Sequence, residues 1–468
     1  MRYFYSLTRN QVHRISELKK ESATGFEIRL DCFPGPPVPR RIRVLTKQPL
    51  LATFRSKAHL GQGDTELRDD AGWQWRLRCL ESGFEYIDIE LDEPQLKDRI
   101  AQVQDLGGKV VLSHHELQAG ASLDQALDSA LATNADIVKI IGMGKTAADF
   151  QTQRKLYNQA GSRPLVCFFM GSEHLGTRVL SLTYGAPFTF LTLQPEKALA
   201  PGQLTARDVY QTYKPHEIPA GGLRLFAVIG NPVGHSRSPD FHNPRLNVQD
   251  PGNLFIPLPC DRESDLTQLF ATFPELKGLA VTKPMKEIAF QRAQGFLDPD
   301  SEQLGAVNTL VFEGDRLMGA NTDLLAMLEI FRELGDKGQI RLLGYGGLGK
   351  AVVRACSSLG LRAEVCNRTP GRIGDLPRGI VEIPWQNRHD EGPVMLVQAT
   401  SAGMAPQVEV NPMERIPRSV KYLIETIYNP LETQLAHMAK QAGIRIFDGL
   451  ELFNRQARIQ NRVFLAVK

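Results

Sequence analysis

Eight short apolar segments recur along the first half of this chain, and patterns typical of helices separate most of them. The segments are rich in β-branched and aromatic residues, which predicts strands at residues 3–8, 26–33, 50–55, 84–91, 109–114, 136–142, 164–170 and 188–193. The helical patterns between them include residues 92–106, 122–134 and 147–160. Eight strands that alternate with helices over about 220 residues predict a (β/α)8 barrel.

The length and composition of the chain limit what it can be. At 468 residues it is too long for one hydrophobic core, so two or three domains are expected. A content of 42% hydrophobic and 23% charged residues, with a formal net charge of +3, favours neither nucleic acid nor an anionic membrane surface as a partner. No segment predicts a transmembrane helix and the N-terminus shows no signal-peptide pattern, so a cytoplasmic location is expected. The six cysteines form no C-x-x-C pair, so neither a metal site nor a disulfide framework is expected.

The sixth predicted strand carries a lysine, Lys139, between apolar neighbours. An unpaired ammonium group is costly in an apolar interior, because burial disfavours the charged form. Such a lysine reaches the surface, pairs with a carboxylate, or stays partly neutral and acts as a nucleophile. For an isolated strand lysine the first alternative is the commonest, so the residues around Lys139 have to decide between them.

In a (β/α)8 barrel, the residues at the carboxyl ends of the strands line the active site. Here those ends, and the loops that follow them, carry Glu27, Arg29, Arg55, His115, Lys139, Arg178 and Gln203. Arginines can bind a carboxylate bidentately, and their charge lowers the pKa of a nearby lysine, so that its amine can attack a ketone. A single arginine at a strand end more often forms a salt bridge at the rim. The combined set indicates an anionic substrate with a carbonyl group.

These residues resemble the type I 3-dehydroquinate dehydratases over about residues 1–213. The resemblance is carried by the segments at residues 26–31, 53–57, 113–115, 135–140, 176–178 and 200–203. It implies that Lys139 forms a Schiff base with the substrate and that His115 acts as general base and acid. It also implies that Arg178 binds the substrate carboxylate and that hydroxyl groups are bound by Glu27, Arg29, Arg55 and Gln203. His114 faces the other side of the strand and is interpreted as structural.

Two positions depart from this family. Its members usually carry a glutamate that orients the catalytic histidine where this chain has His59, and they prefer a serine where this chain has Leu199. A charged histidine would lower the basicity of His115 instead of raising it. Spacing alone leaves open whether Glu116 replaces the missing glutamate. The sequence therefore predicts a dehydratase that keeps its nucleophile and substrate contacts, with a rate that depends on residue 59.

A segment rich in proline and glycine, residues 214–222, is predicted to link the first half to a second one. After a predicted strand at residues 223–229, a loop carries Ser236 and Ser238, whose hydroxyls taken alone would only cap the next helix. Later loops carry Thr282, Lys286, Asn308 and Asp323. These groups suit a small polyol with a reacting carbonyl, because a Lys–Asp pair can deliver a proton to an alkoxide. One such pair by itself is more often a surface ion pair.

A G-x-G-G-x-G motif between a predicted strand and a predicted helix is typical of a dinucleotide-binding turn. Its glycines are Gly344, Gly346, Gly347 and Gly349. The same stretch spells the start of a nucleoside-triphosphate loop, but Ala351 stands where that loop needs Ser or Thr to bind magnesium. The next predicted strand is followed by Asn367, Arg368 and Thr369. NAD favours an acidic residue there, so Arg368 indicates NADP(H), with an exposed loop arginine as the alternative.

The second half resembles the shikimate dehydrogenases over about residues 223–468. The match extends to the segments at residues 399–404, 428–433 and 448–451. It implies that Lys286 and Asp323 form the catalytic pair. It further implies that Gly449 lies near the nicotinamide and that the shikimate site is lined by Ser236, Ser238, Thr282, Asn308, Tyr428 and Gln456. Gln398 stands where the family usually has asparagine, with an expected effect on loop hydrogen bonding.

Together these observations predict an α/β protein of three parts. A (β/α)8 barrel is expected at residues 1–213, a substrate-binding α/β domain at 223–330 completed by a helix at 450–468, and a Rossmann NADP-binding domain at 331–449. The two halves would then catalyse consecutive shikimate-pathway steps, dehydration of 3-dehydroquinate and NADPH-dependent reduction of 3-dehydroshikimate. The expected partners are these small molecules, with a homodimer as a further expectation.

Two alternatives remain at this point. One is a catabolic quinate/shikimate dehydrogenase fusion, which would prefer NAD; Arg368 speaks against it. The other is a ligand-sensing protein with a degenerate barrel site; only His59 and Leu199 support it.

Overall fold

The computed structural model of the protein describes residues 2–21, 24–33, 38–61, 70–117, 123–335, 338–369, 371 and 373–467. By internal contacts the chain divides into two compact units, Met1–Leu276 and Lys277–Lys468. The domain boundaries stated above stay predictions. No helix in the described part of the chain is long and apolar enough to cross a membrane.

Eight parallel strands build the first part of the first unit, at the positions that the sequence predicts. They are β1 (Arg2–Leu7), β2 (Gly25–Arg29), β3 (Leu50–Thr53), β4 (Tyr86–Glu90), β5 (Lys109–Glu116), β6 (Ile137–Met143), β7 (Leu165–Met170) and β8 (Phe188–Thr192). From β1 to β7 each strand pairs with the next in the chain, and β1 also pairs with β8, so the sheet curls round. A short strand that the sequence analysis missed, β9 (Leu204–Thr205), pairs with β8. The curled parallel sheet confirms the predicted barrel.

Helices alternate with the strands of this part. They are α1 (Ile15–Glu21), α2 (Pro39–Arg43), α3 (Asp70–Glu81), α4 (Leu96–Asp105), α5 (Leu123–Leu131), α6 (Ala148–Ala160) and α7 (Leu175–Thr183), of which α3 to α7 pack on the sheet. Buried residues of α5 lie three, four and seven positions apart, namely Leu123, Ala126, Leu127 and Ala130. Strands covered in this way are apolar almost throughout, and β6 is buried from Ile137 to Gly142. Lys139 is therefore enclosed with its strand.

The first unit continues beyond the barrel with a second α/β layer. Its elements are β10 (Arg224–Gly230), α8 (Ser238–Gln249), β11 (Asn253–Pro259) and α9 (Glu263–Thr272), and β10 and β11 pair in parallel. Arg154 on α6 forms an ion pair of 2.7 Å with Glu275 and donates to the Thr272 carbonyl at 2.9 Å. At the start of α7, a Cβ on Gly176 would lie 2.6 Å from the Pro257 carbonyl oxygen. This layer therefore packs directly on the barrel.

The second unit begins with a mixed sheet and three helices. Its elements are β12 (Leu276–Val281), α10 (Lys286–Arg292), β13 (Gly295–Phe296), α11 (Pro299–Leu304), β14 (Thr309–Glu313), β15 (Arg316–Ala320) and α12 (Thr322–Leu334). Strand β14 pairs antiparallel with both β12 and β15, and β13 pairs in parallel with β15. Thr282 lies directly after β12, and the predicted catalytic residues Lys286 and Asp323 lie at the starts of α10 and α12, the helices that follow β12 and β15.

A six-stranded parallel sheet completes the second unit. Its elements are β16 (Ile340–Leu343), α13 (Gly347–Ser358), β17 (Ala363–Cys366), β18 (Ile380–Ile383), β19 (Met395–Gln398), β20 (Tyr422–Glu425), α14 (Gln434–Gln441), β21 (Arg445–Phe447) and α15 (Gly449–Ala466). The strand order is β18-β17-β16-β19-β20-β21. This is the Rossmann strand order. In such sheets ligands bind at the point where the order of the strands reverses, which here lies between β16 and β19.

The last helix returns to the mixed sheet of the second unit. Gln460 on α15 donates to the Asn308 carbonyl oxygen at 3.0 Å and to the Thr309 hydroxyl at 2.8 Å. The Phe464 ring packs so closely on Gly278 that a Cβ there would lie 2.8 Å from the ring. Helix α15 thus contacts the sheet that carries the loops of the predicted substrate site.

Candidate active sites

Lys139 lies inside the barrel and is 4% exposed. Its Nζ is 3.2 Å from Asp88 Oδ2 and 4.7 Å from the centroid of the Phe190 ring. Burial lowers the pKa of Lys139, although the charge of Asp88 opposes part of this effect. The surface and rim alternatives for this lysine are thereby excluded. A buried lysine with a lowered pKa can present a neutral amine to a carbonyl carbon.

Arg55 connects Lys139 with the other polar groups at the barrel mouth. Its guanidinium donates to both carboxylate oxygens of Asp88 at 2.9 Å, and to Glu90 at 2.9 Å. It also donates to Ser113 Oγ at 3.0 Å and lies 3.2 Å from His115 Nδ1. Burial alone would raise the pKa of Asp88, but the charges of Arg55 and Lys139 hold it below its ordinary value. Arg55 is thus fixed by carboxylates and in turn fixes the position of the His115 ring.

His115 is kept neutral by its surroundings. Burial lowers the pKa of His115 well below its ordinary value, and the positive charges of Arg55, Lys139 and His59 act in the same direction. A neutral imidazole has a free nitrogen lone pair and can accept a proton. The ring can therefore begin a reaction as a base and continue it as an acid.

Two carboxylates of this site, Asp88 and Glu90, were missed from the sequence. They are 0% and 2% exposed and alternate along β4, so both point to the interior of the barrel. The signal was available as an Asp-x-Glu pattern inside an apolar strand, where unpaired carboxylates would be costly. Their function in the fold is to neutralise the arginine and lysine charges at the barrel mouth.

Arg178 is a buried cation without a carboxylate partner among the described residues. Its guanidinium lies 3.9 Å from the Phe168 ring centroid and donates to the Pro201 carbonyl at 3.2 Å, while its Nε has no partner. Burial lowers the pKa of Arg178 to about 9. A buried guanidinium with free donors is suited to bind an anion, and a bidentate carboxylate would satisfy it.

The remaining predicted barrel residues lie on the same strand ends. Glu27 and Arg29 alternate on β2, and Arg29 donates to both oxygens of Asp31 at 2.9 and 2.8 Å. Gln203 donates to Ser6 Oγ at 3.2 Å and accepts from the Leu199 backbone N–H at 3.0 Å. At Leu199, where the resembling family prefers serine, the backbone N–H is thus the group that bonds to Gln203.

His59 occupies the place of the missing glutamate. Its Nε2 lies 3.4 Å from Asp92 Oδ2 and 3.6 Å from Glu90 Oε2, and its ring centroid is 6.1 Å from that of His115. The hydrogen bond to Asp92 raises the pKa of His59, so the ring carries a positive charge over a wider pH range. Glu116 lies 3.8 Å from His114 Nε2, on the side of the strand that faces away from His115.

The ligand atoms of His59, Glu90 and Asp92 lie within 4.8 Å of one another, a spacing that a metal ion could bridge. Glu90 already accepts from the buried Arg55 guanidinium, which would repel a second cation at the same carboxylate. We therefore interpret the cluster as a network of polar contacts around His59, whose pKa is raised by its hydrogen bond to Asp92.

If the barrel catalyses the dehydration that the resemblance implies, replacing His59 with glutamine should move the acidic limb of its pH profile to higher pH. A positive neighbour is removed, so the pKa of His115 rises and its base form requires a higher pH. For a charge at this separation the shift should be about 0.5–1 pH unit. The measurement is kcat/KM for dehydration as a function of pH.

Asp92→Asn tests the same influence through the hydrogen-bond partner of His59. It removes the hydrogen bond that raises the pKa of His59, so His59 loses its proton at lower pH and the limb should again move upward. An acidic limb that stays in place in both variants would contradict the influence of His59 on His115.

The second candidate site contains a lysine and a carboxylate in contact. Lys286 Nζ lies 2.6 Å from Asp323 Oδ2, and the two side chains are 23% and 19% exposed. Lys286 begins α10, and Asp323 lies in the first turn of α12, whose N-cap residue Asn321 accepts from the Leu324 N–H at 3.0 Å. Two helix starts therefore fix this pair at the edge of the mixed sheet.

A hydrogen-bond network joins other predicted residues of the second unit. Asn308 Oδ1 accepts from the Thr322 N–H at 2.8 Å, and the Thr322 hydroxyl lies 3.0 Å from Gln456 Oε1. Thr322 directly precedes Asp323, so this network and the Lys286 pair form one polar region. Thr322 was not predicted; its signal was its place between Asn321 and Asp323, inside the motif that carried the resemblance.

Three further predicted residues of the second unit lie after β12, after β20 and at the start of α15. In the turn before Lys286, the Thr282 carbonyl oxygen accepts a hydrogen bond of 2.9 Å from the Met285 N–H. The Tyr428 ring centroid lies 5.4 Å from that of Phe453 on α15. A Cβ on Gly449 would lie 2.1 Å from the Ile427 carbonyl oxygen, so only glycine fits there.

Ser236 and Ser238 belong to the first unit, in the loop between β10 and α8. Ser236 Oγ accepts from the Ser238 N–H at 3.2 Å, at the first residue of α8. Ser238 is 7% exposed and Ser236 is half-buried. The bond that Ser236 accepts ties the loop to the first residue of α8, whose N-cap residue Arg237 makes no side-chain cap bond. Among the described residues, no hydrogen bond involves the Ser238 hydroxyl.

The glycine-rich turn has the space that a pyrophosphate needs. Gly344 has a φ of +93°, and a Cβ on Gly349 would lie 2.3 Å from the Gly344 carbonyl oxygen. Among the described residues, no atom lies within 4 Å of the Cβ positions of Gly346 and Gly347, where α13 begins. The helix start is thus open to a phosphate group, which its free N–H groups would bind.

Polar groups at the ends of β17 and β19 hold the edge of this turn. Asn367 accepts from the Tyr345 N–H at 3.3 Å and donates to the Thr369 carbonyl at 2.7 Å, and Arg368 is exposed. Gln398 accepts from the Thr400 N–H at 3.1 Å and donates to the Ala402 carbonyl at 3.0 Å. Gln398 therefore organises the loop after β19, in agreement with the loop effect expected from the sequence.

Comparisons with known proteins match both halves. The family model described as type I 3-dehydroquinase matches residues 5–218, and the model described as shikimate dehydrogenase substrate binding domain matches residues 228–310. The bifunctional 3-dehydroquinate dehydratase/shikimate dehydrogenase, chloroplastic, of Arabidopsis thaliana is 30% identical over 485 residues, which cover 96% of this chain and 79% of the relative.

Two further proteins are similar to this chain. The shikimate dehydrogenase (NADP(+)) of Maridesulfovibrio salexigens is 33% identical over 255 residues, or 52% of this chain and 92% of the relative. The solved structure of dehydroquinate dehydratase and shikimate dehydrogenase from S. pombe AroM is 21% identical, with coverage of 100% of this chain and 96% of that chain and a TM-score of 0.41.

Proposed function

Because this chain belongs to the family of bifunctional 3-dehydroquinate dehydratase/shikimate dehydrogenases, we propose residue roles for two consecutive reactions of the shikimate pathway. The chain is a lyase and an oxidoreductase in one polypeptide. The observation that carries the assignment is that the lysine implied by the resemblance in each half lies in contact with a carboxylate, at 3.2 Å from Asp88 for Lys139 and at 2.6 Å from Asp323 for Lys286. The catabolic and ligand-sensing alternatives are not favoured by these findings.

In the barrel, Lys139 is the proposed nucleophile. Its neutral amine attacks the ketone carbon of 3-dehydroquinate, and loss of water gives a protonated imine, which draws electrons from the adjacent carbon. His115 then takes a proton from that carbon and returns it to the departing hydroxyl, so one water leaves. Water hydrolyses the imine, which releases 3-dehydroshikimate and restores Lys139.

The substrate is proposed to be held by the arginines of the barrel mouth. Arg178, which is buried and without a carboxylate partner among the described residues, binds the substrate carboxylate. Hydroxyl groups are bound by Glu27, Arg29, Arg55 and Gln203. Arg55 has a second role, because its bond to Asp88 keeps that carboxylate from fully neutralising Lys139.

In the second half, Lys286 and Asp323 are the proposed proton donor pair. NADPH, when bound, supplies the hydride for the ketone carbon. The Lys286 ammonium lies against Asp323 and donates a proton to the ketone oxygen as negative charge develops there. Shikimate contacts are proposed for Ser236, Ser238, Thr282, Asn308, Tyr428 and Gln456.

NADP(H) is the proposed cofactor. The pyrophosphate would be held at the open start of α13, by the turn that contains Gly344, Gly346, Gly347 and Gly349. Gly449 would lie near the nicotinamide, while Asn367, Arg368 and Thr369 would bind the adenosine ribose and its 2′-phosphate. The NADP(+) named for the bacterial relative supports this choice. The homodimer and the cytoplasmic location stay predictions.

The test is NADPH oxidation with 3-dehydroquinate as the only ketone supplied. Steady oxidation is expected, because both reactions must run in sequence, and NADH in place of NADPH should give a much lower kcat/KM. Oxidation only when 3-dehydroshikimate is supplied would locate a failure in the barrel. A strong preference for NADH would refute the cofactor assignment.

A further inference from the structure

The segment from the last residue of β10 to the first residue of α8, residues 230–238, carries the two serines proposed to bind shikimate; we name it the serine loop. Its backbone is held by a side chain of the barrel. Glu173, in the loop between β7 and α7, accepts hydrogen bonds through Oε2 from the Val233 N–H at 2.5 Å and from the Gly234 N–H at 2.9 Å. A carboxylate that receives two backbone N–H groups is a strong, charge-assisted contact.

The two loops also approach one another very closely. A Cβ on Gly234 would lie 2.6 Å from the carbonyl carbon and oxygen of Ser172 and 2.8 Å from Glu173 Oε1. No larger residue fits at 234 without displacing the barrel loop. The contact therefore depends on glycine on one side and on glutamate on the other.

Hydrogen bonds on both sides of Glu173 hold the barrel loop in place. Gly171 donates to the Pro201 carbonyl at 3.2 Å, the same carbonyl that accepts from Arg178. His174, which is 2% exposed, is anchored through Nε2, which lies 3.0 Å from Asp149 Oδ2 and 3.0 Å from the Thr146 carbonyl. Glu173 thus projects from a loop that is fixed on both sides.

Within the serine loop Val233 is buried, whereas Asn231 and Pro232 are exposed beside Glu173. A cavity of about 440 Å³ lies there, lined by Glu173, Asn231 and Asp261 among others. The Glu173 bonds hold Val233, and the Val233 carbonyl in turn accepts from the Ser236 N–H at 3.0 Å. The position of Ser236 is therefore linked to Glu173 through one residue.

We propose that Glu173, a residue of the dehydratase half, is a positioning residue for the substrate loop of the dehydrogenase half. The inference rests on the proposed function, because it takes Ser236 and Ser238 as shikimate contacts. Glu173 fixes the loop before substrate arrives, so its loss should weaken substrate binding and leave the hydride and proton steps intact. In this chain the fusion then does more than tether two enzymes.

The test compares Glu173→Ala, Glu173→Gln and Glu196→Ala in the full chain. Glu173→Ala should raise the KM for 3-dehydroshikimate roughly tenfold, because two N–H groups lose a charged acceptor, with kcat changed by less than about twofold. Glu173→Gln keeps an acceptor oxygen and should restore part of the affinity. Glu196 is an exposed glutamate of another barrel loop, and its variant should match wild type. Dehydration kinetics should be the same in all three.

Ser236→Ala separates this inference from the proposed function. If Ser236→Ala raises the KM and Glu173→Ala does not, the positioning role is wrong and the shikimate site stands. If wild type does not reduce 3-dehydroshikimate, the proposed function itself fails. Equal losses of both activities in Glu173→Ala, with no recovery in Glu173→Gln, would indicate general loosening of the unit and would also overturn the positioning role.

Discussion

Lys139→Ala is expected to abolish dehydration of 3-dehydroquinate, with kcat lowered by about 10⁴-fold or more, since the covalent route is lost with its nucleophile. The fold should survive, because Asp88 keeps its bonds to Arg55 and to Ser113, the latter at 2.8 Å. Reduction of 3-dehydroshikimate should continue at the wild-type rate. The measurement is the rate at which 3-dehydroshikimate forms from 3-dehydroquinate when no NADPH is added.

Lys145→Ala is the matched control, because Lys145 is an exposed lysine just beyond the same strand. It should leave dehydration unchanged. Borohydride reduction in the presence of 3-dehydroquinate should trap a covalent adduct on Lys139 in wild type and in the control, and none in Lys139→Ala. A dehydratase that still turns over without Lys139, or an adduct on another lysine, would show that the nucleophile has been misassigned.

Lys286→Ala is expected to lower kcat for the reduction of 3-dehydroshikimate by about 10²–10⁴-fold, the usual range for loss of general acid catalysis. The alkoxide that forms on hydride transfer would lose the ammonium that lies 2.6 Å from Asp323. Dehydration should be unaffected, so 3-dehydroshikimate should accumulate when the variant receives 3-dehydroquinate and NADPH. Both the accumulated ketone and NADPH oxidation can be followed in one reaction.

Asp323→Asn and Lys283→Ala complete this experiment. Asp323→Asn keeps the size of the side chain and removes its charge, so it should also impair reduction. Lys283 is exposed in the turn before Lys286, and its loss should be tolerated. If Lys286→Ala reduces the ketone as fast as Lys283→Ala, the proton must come from another group and the second site needs a different assignment.

Much of the fold could be predicted because its signals are local. The eight barrel strands and the glycine turn follow from apolar patterns and short motifs that each span fewer than about ten residues. The prediction was less accurate where tertiary contacts set an element's limits. Helix α4 begins at Leu96 and not at residue 92, and α13 begins at Gly347, within the glycine motif.

The candidate sites were predicted in part. The residues proposed as nucleophile, carboxylate-binding group and proton donor pair stand in recognisable motifs, so the sequence could name Lys139, Arg178, Lys286 and Asp323 as candidates. Asp88 and Glu90 were missed because each lies in an apolar strand whose pattern reads as ordinary core. Their importance depends on Arg55, which is 33 residues away from Asp88 along the chain.

The sequence by itself determined which chemical groups the two reactions can use and in which order the elements follow one another, because motifs and periodicities act over short stretches of chain. Only the tertiary structure decided how those groups are charged and held. Burial lowers the pKa of Lys139 and of His115, and Glu173 bonds to Val233 of the serine loop, which lies 60 residues further along the chain. Burial and contacts between distant residues arise only when the chain packs, which is why no local pattern could supply them.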